Sequence, residues 1–291
     1  YVNVGDLDAE LVKKSLQNLT RANVKHYGVL NVLEISAKVR TLFTKAKSLL
    51  KQMKTLQSND KTRKTVIAMG IYNYKEKDAW PNLRQMFAEA VNQSVADTVI
   101  AYSSVGWIES ESECFTHPPS LWNKSELKGS SSKEAGRAPD IATVVQMMRK
   151  DSKYKAGAKL GFSFELAALA YTMTNLVMDF ADSVNAPCTQ LFLDHQNLLE
   201  CRDTKTPTLI QTGYDYDTQR IFMVDDARSL EIKCGELKKS STFLRSNLAV
   251  LLVNSHLGDF TKDGPCAKGN YEDRRDPFYR IKMIKTMLSG P

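Results

Sequence analysis

The sequence has no apolar run long enough to cross a bilayer, no cysteines paired at metal-ligand spacing and only four histidines, and each shortage removes a class of function. The longest apolar candidate, Leu160 to Phe180, is interrupted by Ser163, Glu165, Thr172, Thr174, Asn175 and Asp179. It falls short of the roughly 18 to 20 continuous apolar residues that a spanning helix needs. Its circumference is apolar on most sides over Leu160–Val184, which predicts a central core helix. No C-x-x-C pair occurs among Cys114, Cys188, Cys201, Cys234 and Cys266, which argues against a zinc ribbon, an iron–sulfur site or a thioredoxin-type dithiol. G-x-G-x-x-G, a Walker loop, H-E-x-x-H, G-x-S-x-G and an EF-hand loop are also missing, so the common nucleotide, zinc-protease and serine-hydrolase readings fall away. No cofactor is implied. Enzymes whose residues are dispersed along the chain are not removed by these absences.

What is present suffices for a full core, since the chain has 291 residues and is 42% hydrophobic. Its formal charge of +7 is local. Between Lys38 and Lys64 nine basic residues face one acid, Asp60, while outside that stretch 31 basic residues face 32 acidic ones. A polyanion binder is expected to be basic over more of its length. In the same region Val32, Ile35, Val39, Leu42, Ala46, Leu49, Met53 and Leu56 keep a 3-4-3-4 spacing, which predicts a long helix from about Leu30 to Gln57. Leu33, Phe43 and Leu50 widen its apolar face beyond a coiled-coil seam and favour burial in a bundle.

Further helices are expected over Leu7–Ala22, from Asp78 with Pro81 in the first turn and an apolar stripe reaching Val95 and Val99, over Ala138–Lys150, and from Asp276-Pro277 to the end. Residues 103–137 read as a long loop anchored by Trp107 and Trp122. Leu191–Leu199 reads as a short amphipathic turn or two. Thr208–Gln211 and Arg220–Val224 read as a hairpin, and Ser229–Cys234 as a third strand. Val66–Tyr74 and Phe243–Val253 are not settled by pattern. The fold expected is mainly α: a helical bundle over 1–185 with a small C-terminal α+β, β-hairpin subdomain over 186–291.

Four cysteines lie in the last 104 residues, where a thin core benefits from staples. Cys188 with Cys201 and Cys234 with Cys266 form one of three possible pairings, which leaves Cys114 odd. Sequons at Asn18, Asn92 and Asn123 add a glycoprotein reading, with Asn123 the most credible because it lies in a polar loop. Residue 1 is tyrosine and not an initiator methionine, so an upstream segment is expected, a signal peptide being one form of it.

Three functions compete. The leading expectation is a non-enzymatic secreted or extracytoplasmic interaction protein on a helical scaffold, presenting Trp107 and Trp122 together with Lys38, Lys45, Lys47, Lys51 and Lys54 to another protein or an anionic ligand. Aromatic anchors supply contact area, and the charges steer approach. The first alternative is a dispersed-site hydrolase or transferase in which Asp194, His195, Asp225 and His256 converge at the junction of the two parts. The second is an anionic-lipid or polyanion binder that uses the basic helix, with a cytoplasmic location. Sequence-specific nucleic-acid reading is not expected, because the arc offers lysines and few groups suited to base edges. Asp215, Asp217, Asp225 and Asp226 gather around the hairpin as a weak calcium candidate, though turns need the same residues for local reasons.

Overall fold

The structure is a computed structural model, and it describes residues 9–57, 62–104, 114–123, 138–150, 157–174, 186–194, 211–215, 220–225, 227–240, 248–255 and 278–289. The chain divides into two compact units. One holds residues 1–102, 143–162 and 247–251, the other 103–142, 163–246 and 252–291. The expected boundary at residue 185 is therefore not where the units part. Each is built from several separate stretches.

The first unit is built on β-α-β units, not on a helical bundle. Helix α1 (Ala9–Arg21) precedes strand β1 (His26–Glu34), helix α2 (Ser36–Gln57), strand β2 (Lys64–Ile71), helix α3 (Ala79–Asn92) and strand β3 (Thr98–Ala101). Helix α4 (Ile141–Lys150), strand β5 (Lys159–Glu165) and strand β10 (Leu248–Val253) follow. The sheet order is β1-β2-β3-β5-β10, and β1, β2, β3 and β5 pair in parallel. Parallel neighbours need long crossovers, which α2 and α3 supply. The 3-4 spacing holds within α2, where Val39, Phe43, Ala46, Leu50 and Met53 are buried while Lys38, Lys45 and Lys51 are exposed. It does not extend upstream. Leu30, Val32 and Leu33 belong to β1, where Tyr27 and Val29 alternate with exposed His26, Gly28 and Leu30. Val99, expected in the α3 stripe, is in β3, because α3 ends at Asn92 and Ser94 takes a positive φ of 52°.

The expected core helix over Leu160–Val184 is the largest correction: the described part is two strands, β5 and β6 (Ala168–Met173). Leu160 to Glu165 are all buried and so are Ala168 to Tyr171, so both faces of each strand are covered and no alternation marks them. A continuous apolar run reads equally as buried strand or buried helix.

The second unit carries an antiparallel sheet ordered β4-β7-β6-β9-β8, from β4 (Cys114–Phe115), β7 (Pro187–Asp194), β6, β9 (Arg220–Val224) and β8 (Gln211–Asp215). The expected turn at Leu191–Leu199 is in its described part strand β7. The expected hairpin is present as β8 and β9, with the first strand starting at Gln211. Ser229–Cys234 is not a third strand but part of helix α5 (Ala227–Ser240), and helix α6 (Tyr279–Ser289) closes the chain. The expected loop over 103–137 contains β4 and a buried stretch, Thr116–Leu121. Leu169, Tyr171, Met173, Cys188, Ile221 and Met223 form a core cluster on this sheet.

Candidate active site

Three strand ends of the second unit converge on one buried acid. Glu165 is the last residue of β5, Asp225 follows β9 directly, and Asn254 follows β10. Strand termination places all three. Asn254 leaves β10 with φ 49°, a left-handed conformation that asparagine tolerates better than most residues. The Leu166 N–H donates to the Val253 carbonyl at 3.1 Å, tying the ends of β5 and β10 together.

Glu165 is 1% exposed. Its Oε1 accepts the Ala167 N–H at 2.8 Å, its Oε2 accepts Asn254 Nδ2 at 3.0 Å, and its own N–H donates to Ser120 Oγ at 2.9 Å. Burial pushes its pKa up to about 7, against the lowering effect of the Ala167, Asn254 and Leu166 hydrogen bonds and with a smaller push from the Asp225 charge. Desolvation outweighs the hydrogen bonds, so the acid holds its proton close to neutrality. That property suits a proton donor.

Asp225 is fully buried beside an equally buried Lys233 from α5, whose ammonium bonds its Oδ1. Ser229 Oγ donates to the same oxygen at 3.0 Å. Arg280, from α6, donates through Nη1 to the Asp225 carbonyl at 3.0 Å and through Nη2 to the Leu166 carbonyl at 3.3 Å. Nearby, the Tyr171 hydroxyl donates to the His117 carbonyl at 2.9 Å, and burial drives its pKa well upward.

Of the dispersed quartet expected from sequence, Asp225 is in this cluster and Asp194 ends β7, with its Cα opposite Ala168. His195 and His256 lie outside the described residues. Asp215 ends β8 opposite Arg220, Asp217 and Asp226 lie outside the described residues, and Asp225 is bonded to the Lys233 ammonium. Among the described residues no group of three or more His, Cys, Asp or Glu is placed to hold a metal ion.

Trp107 lies outside the described residues, and Trp122 is half-buried, its carbonyl accepting the Ala142 N–H at 2.9 Å. The lysine arc is partly used internally: Lys47 pairs with Glu89, and Lys54 lies 3.9 Å from Asp97 and donates to the Ser94 carbonyl at 2.6 Å. Cys188 is bonded to Cys114, its register partner between β7 and β4, with Cα atoms 4.9 Å apart. This replaces the expected Cys188–Cys201 pairing and removes Cys114 as the odd residue. Cys234 is a free buried thiol whose pKa burial pushes up to about 11, so it is not bonded to Cys266. Cys201 and Cys266 lie outside the described residues. Asn18 in α1 and Asn92 at the end of α3 are exposed, and Asn123 is half-exposed.

Glu165 was missed as a site residue because it reads as one polar interruption of an apolar segment. Its signal was available, since a lone acid inside a run that must be buried needs a reason.

No protein-family model matches the chain, and no curated protein matches it. Solved structures do match. An immunomodulatory active chitinase from Trichuris suis matches 96% of this chain and 73% of its own, at 12% identity and TM-score 0.60. A human pseudo-chitinase with retained chitooligosaccharide-binding properties matches 100% of this chain and 76% of its own, at 13% identity and TM-score 0.61. A glycoside hydrolase family 18 N-acetylglucosaminidase from Paenibacillus barengoltzii matches 83% of this chain and 69% of its own, at 11% identity and TM-score 0.50. These matching structures are chitinase-like glycoside hydrolase 18 proteins with TIM-barrel folds, and this chain shares their α/β architecture, which overturns the helical bundle. The same likeness overturns the leading expectation of a non-enzymatic interaction protein on a helical scaffold. It lies closer to the hydrolase alternative. A disulfide is present, and no helix among the described residues is long and apolar enough to cross a membrane.

Proposed function

We propose that this chain is a chitinase-type glycoside hydrolase whose substrate class is the chitooligosaccharides, with Glu165 as the acid. The observation that carries the proposal is the likeness over almost the whole chain to an active chitinase and to a chitooligosaccharide-binding relative. Glu165 supports it in two ways. It stands at the C-terminal end of a parallel strand, where enzymes of the TIM-barrel fold place their catalytic groups. It also keeps a proton near pH 7, as protonation of a leaving glycosidic oxygen requires. In substrate-assisted glycoside hydrolysis the protein does not need the usual pair of carboxyl groups. The disulfide supports an oxidising, extracytoplasmic location, where the sequons at Asn18, Asn92 and Asn123 have access to glycosylation.

A second reading is chitooligosaccharide binding without turnover. Its observation is that Glu165 is 1% exposed with both oxygens already accepting hydrogen bonds, and that Tyr102, Ser103 and Ser104, which follow β3, carry hydroxyls and no carboxylate. Mass spectrometry of a chitooligosaccharide of defined length incubated with the protein, with titration calorimetry on the same pair, separates the two. Shortened products that disappear in Glu165→Gln support hydrolysis. Heat of binding without products supports the second reading. Neither heat nor products would overturn the ligand class.

A further inference from the structure

We infer that Arg280 is a positioning residue for Glu165, acting through the backbone turn that follows β5. This rests on the proposed role of Glu165 as the acid, but its test needs no substrate. The guanidinium fork spans two strand ends that are remote in sequence, with Nη2 on the Leu166 carbonyl at 3.3 Å and Nη1 on the Asp225 carbonyl at 3.0 Å. A planar fork with fixed donor directions holds two acceptors at a set spacing, which a lysine ammonium on a flexible stem does not do. The peptide group it grips is the one whose own N–H serves the carboxyl: the Leu166 carbonyl accepts from Arg280, and the Ala167 N–H across the same peptide bond donates to Glu165 Oε1 at 2.8 Å. The far end of the clamp is itself anchored, because the Asp225 side chain is fixed by Lys233 and Ser229. Helix α6 is thereby part of the site. It has no chemistry of its own there.

The sign of the effect follows from the bonds. Backbone N–H groups favour the ionised carboxylate, so releasing the Leu166–Ala167 turn weakens that support and makes Glu165 hold its proton more tightly. Among the described residues the charged and titratable groups around it are Asp225 after β9, Lys233 on α5, Arg280 on α6 and Tyr171 on β6. Arg280→Lys keeps the positive charge and loses the fork, so it separates geometry from field.

The test is carbon-13 NMR of the full chain labelled at glutamate, with the Glu165 carboxyl signal identified by its loss in Glu165→Gln. In wild type its titration midpoint is expected near neutrality, and in Arg280→Lys and Arg280→Gln it is expected to rise by on the order of one pH unit. In the unsubstituted protein the Ala167 amide and Arg280 guanidinium signals are expected to titrate with the same midpoint. That measurement stands even where the variants do not fold. An unmoved midpoint in a folded variant, or flat Ala167 and Arg280 signals in wild type, overturns the assignment. Failure to cleave chitooligosaccharides instead counts against the proposed hydrolase and leaves this readout intact.

Discussion

Replacing Glu165 by glutamine removes one titration while keeping nearly the same shape, and the stability difference it produces can be worked out from its surroundings. The carboxyl of Glu165 titrates near 4.5 in an unfolded chain and at about 7 when folded, because burial disfavours its charge. The folded pKa of this acid is raised, so between these values the unfolded state has given up its proton and the folded state has not. Stability therefore falls as pH rises from about 4.5 to about 7 and levels off above. At about 1.4 kcal/mol for each pH unit, the loss attributable to this residue is on the order of 3 kcal/mol by pH 8. Glutamine carries no such charge. Its carbonyl can accept the Ala167 N–H, and the amide of Asn254 can turn to present its oxygen to the new NH2 group. Urea unfolding of wild type and Glu165→Gln at pH 5 and pH 8 gives the difference directly. Wild type is expected to lose about 2.5 kcal/mol more than the variant over that interval, because part of the loss already lies below pH 5. Identical pH dependence in the two proteins would refute the claim that desolvation governs this acid.

Two further outcomes follow from groups around the same sheet. Lys233→Met strands a fully buried Asp225 carboxylate and is expected to cost about 3–5 kcal/mol, while Lys233→Met combined with Asp225→Leu recovers most of it. Equal losses in the single and double variants, measured by urea unfolding, would contradict this. The Cys114–Cys188 bond closes a 74-residue separation, so replacing both cysteines by alanine is expected to cost about 4 kcal/mol through the unfolded state. Denaturant midpoints with and without reductant test it. A reductant-insensitive midpoint would count against the bond.

Local pattern matches the structure where one element carries its own period. The apolar stripe of α2 and the helix at α3 with Pro81 in its first turn lie close to where spacing put them, and β9 matches the expected second hairpin strand, whereas the expected turn residues Thr212 to Asp215 are part of the first strand, β8. Pattern failed where burial was two-sided. In β5 and β6 the residues Leu160 to Tyr171 are buried throughout, Ser163 and Glu165 included, so nothing in their order distinguishes a strand from a helix. The Val32 and Ile35 spacing joined a strand to a helix by coincidence, although Tyr27 and Val29 carried a two-residue alternation that pointed to β1. Cysteine pairing failed for a related reason. Sequence proximity favoured Cys201 for Cys188, whereas strand register brings Cys114 opposite it from 74 residues away.

The sequence by itself determined which helix faces are apolar and where the charge is concentrated, because those depend on neighbours within a few residues. Tertiary structure decided that the apolar centre is parallel sheet, and that Glu165, Asp225, Asn254 and Arg280 meet. They are drawn from three strand ends and a closing helix, with Arg280 bonding a carbonyl 114 residues away. An acid's proton affinity depends on the water around it, and that water is excluded only after all of those segments have packed.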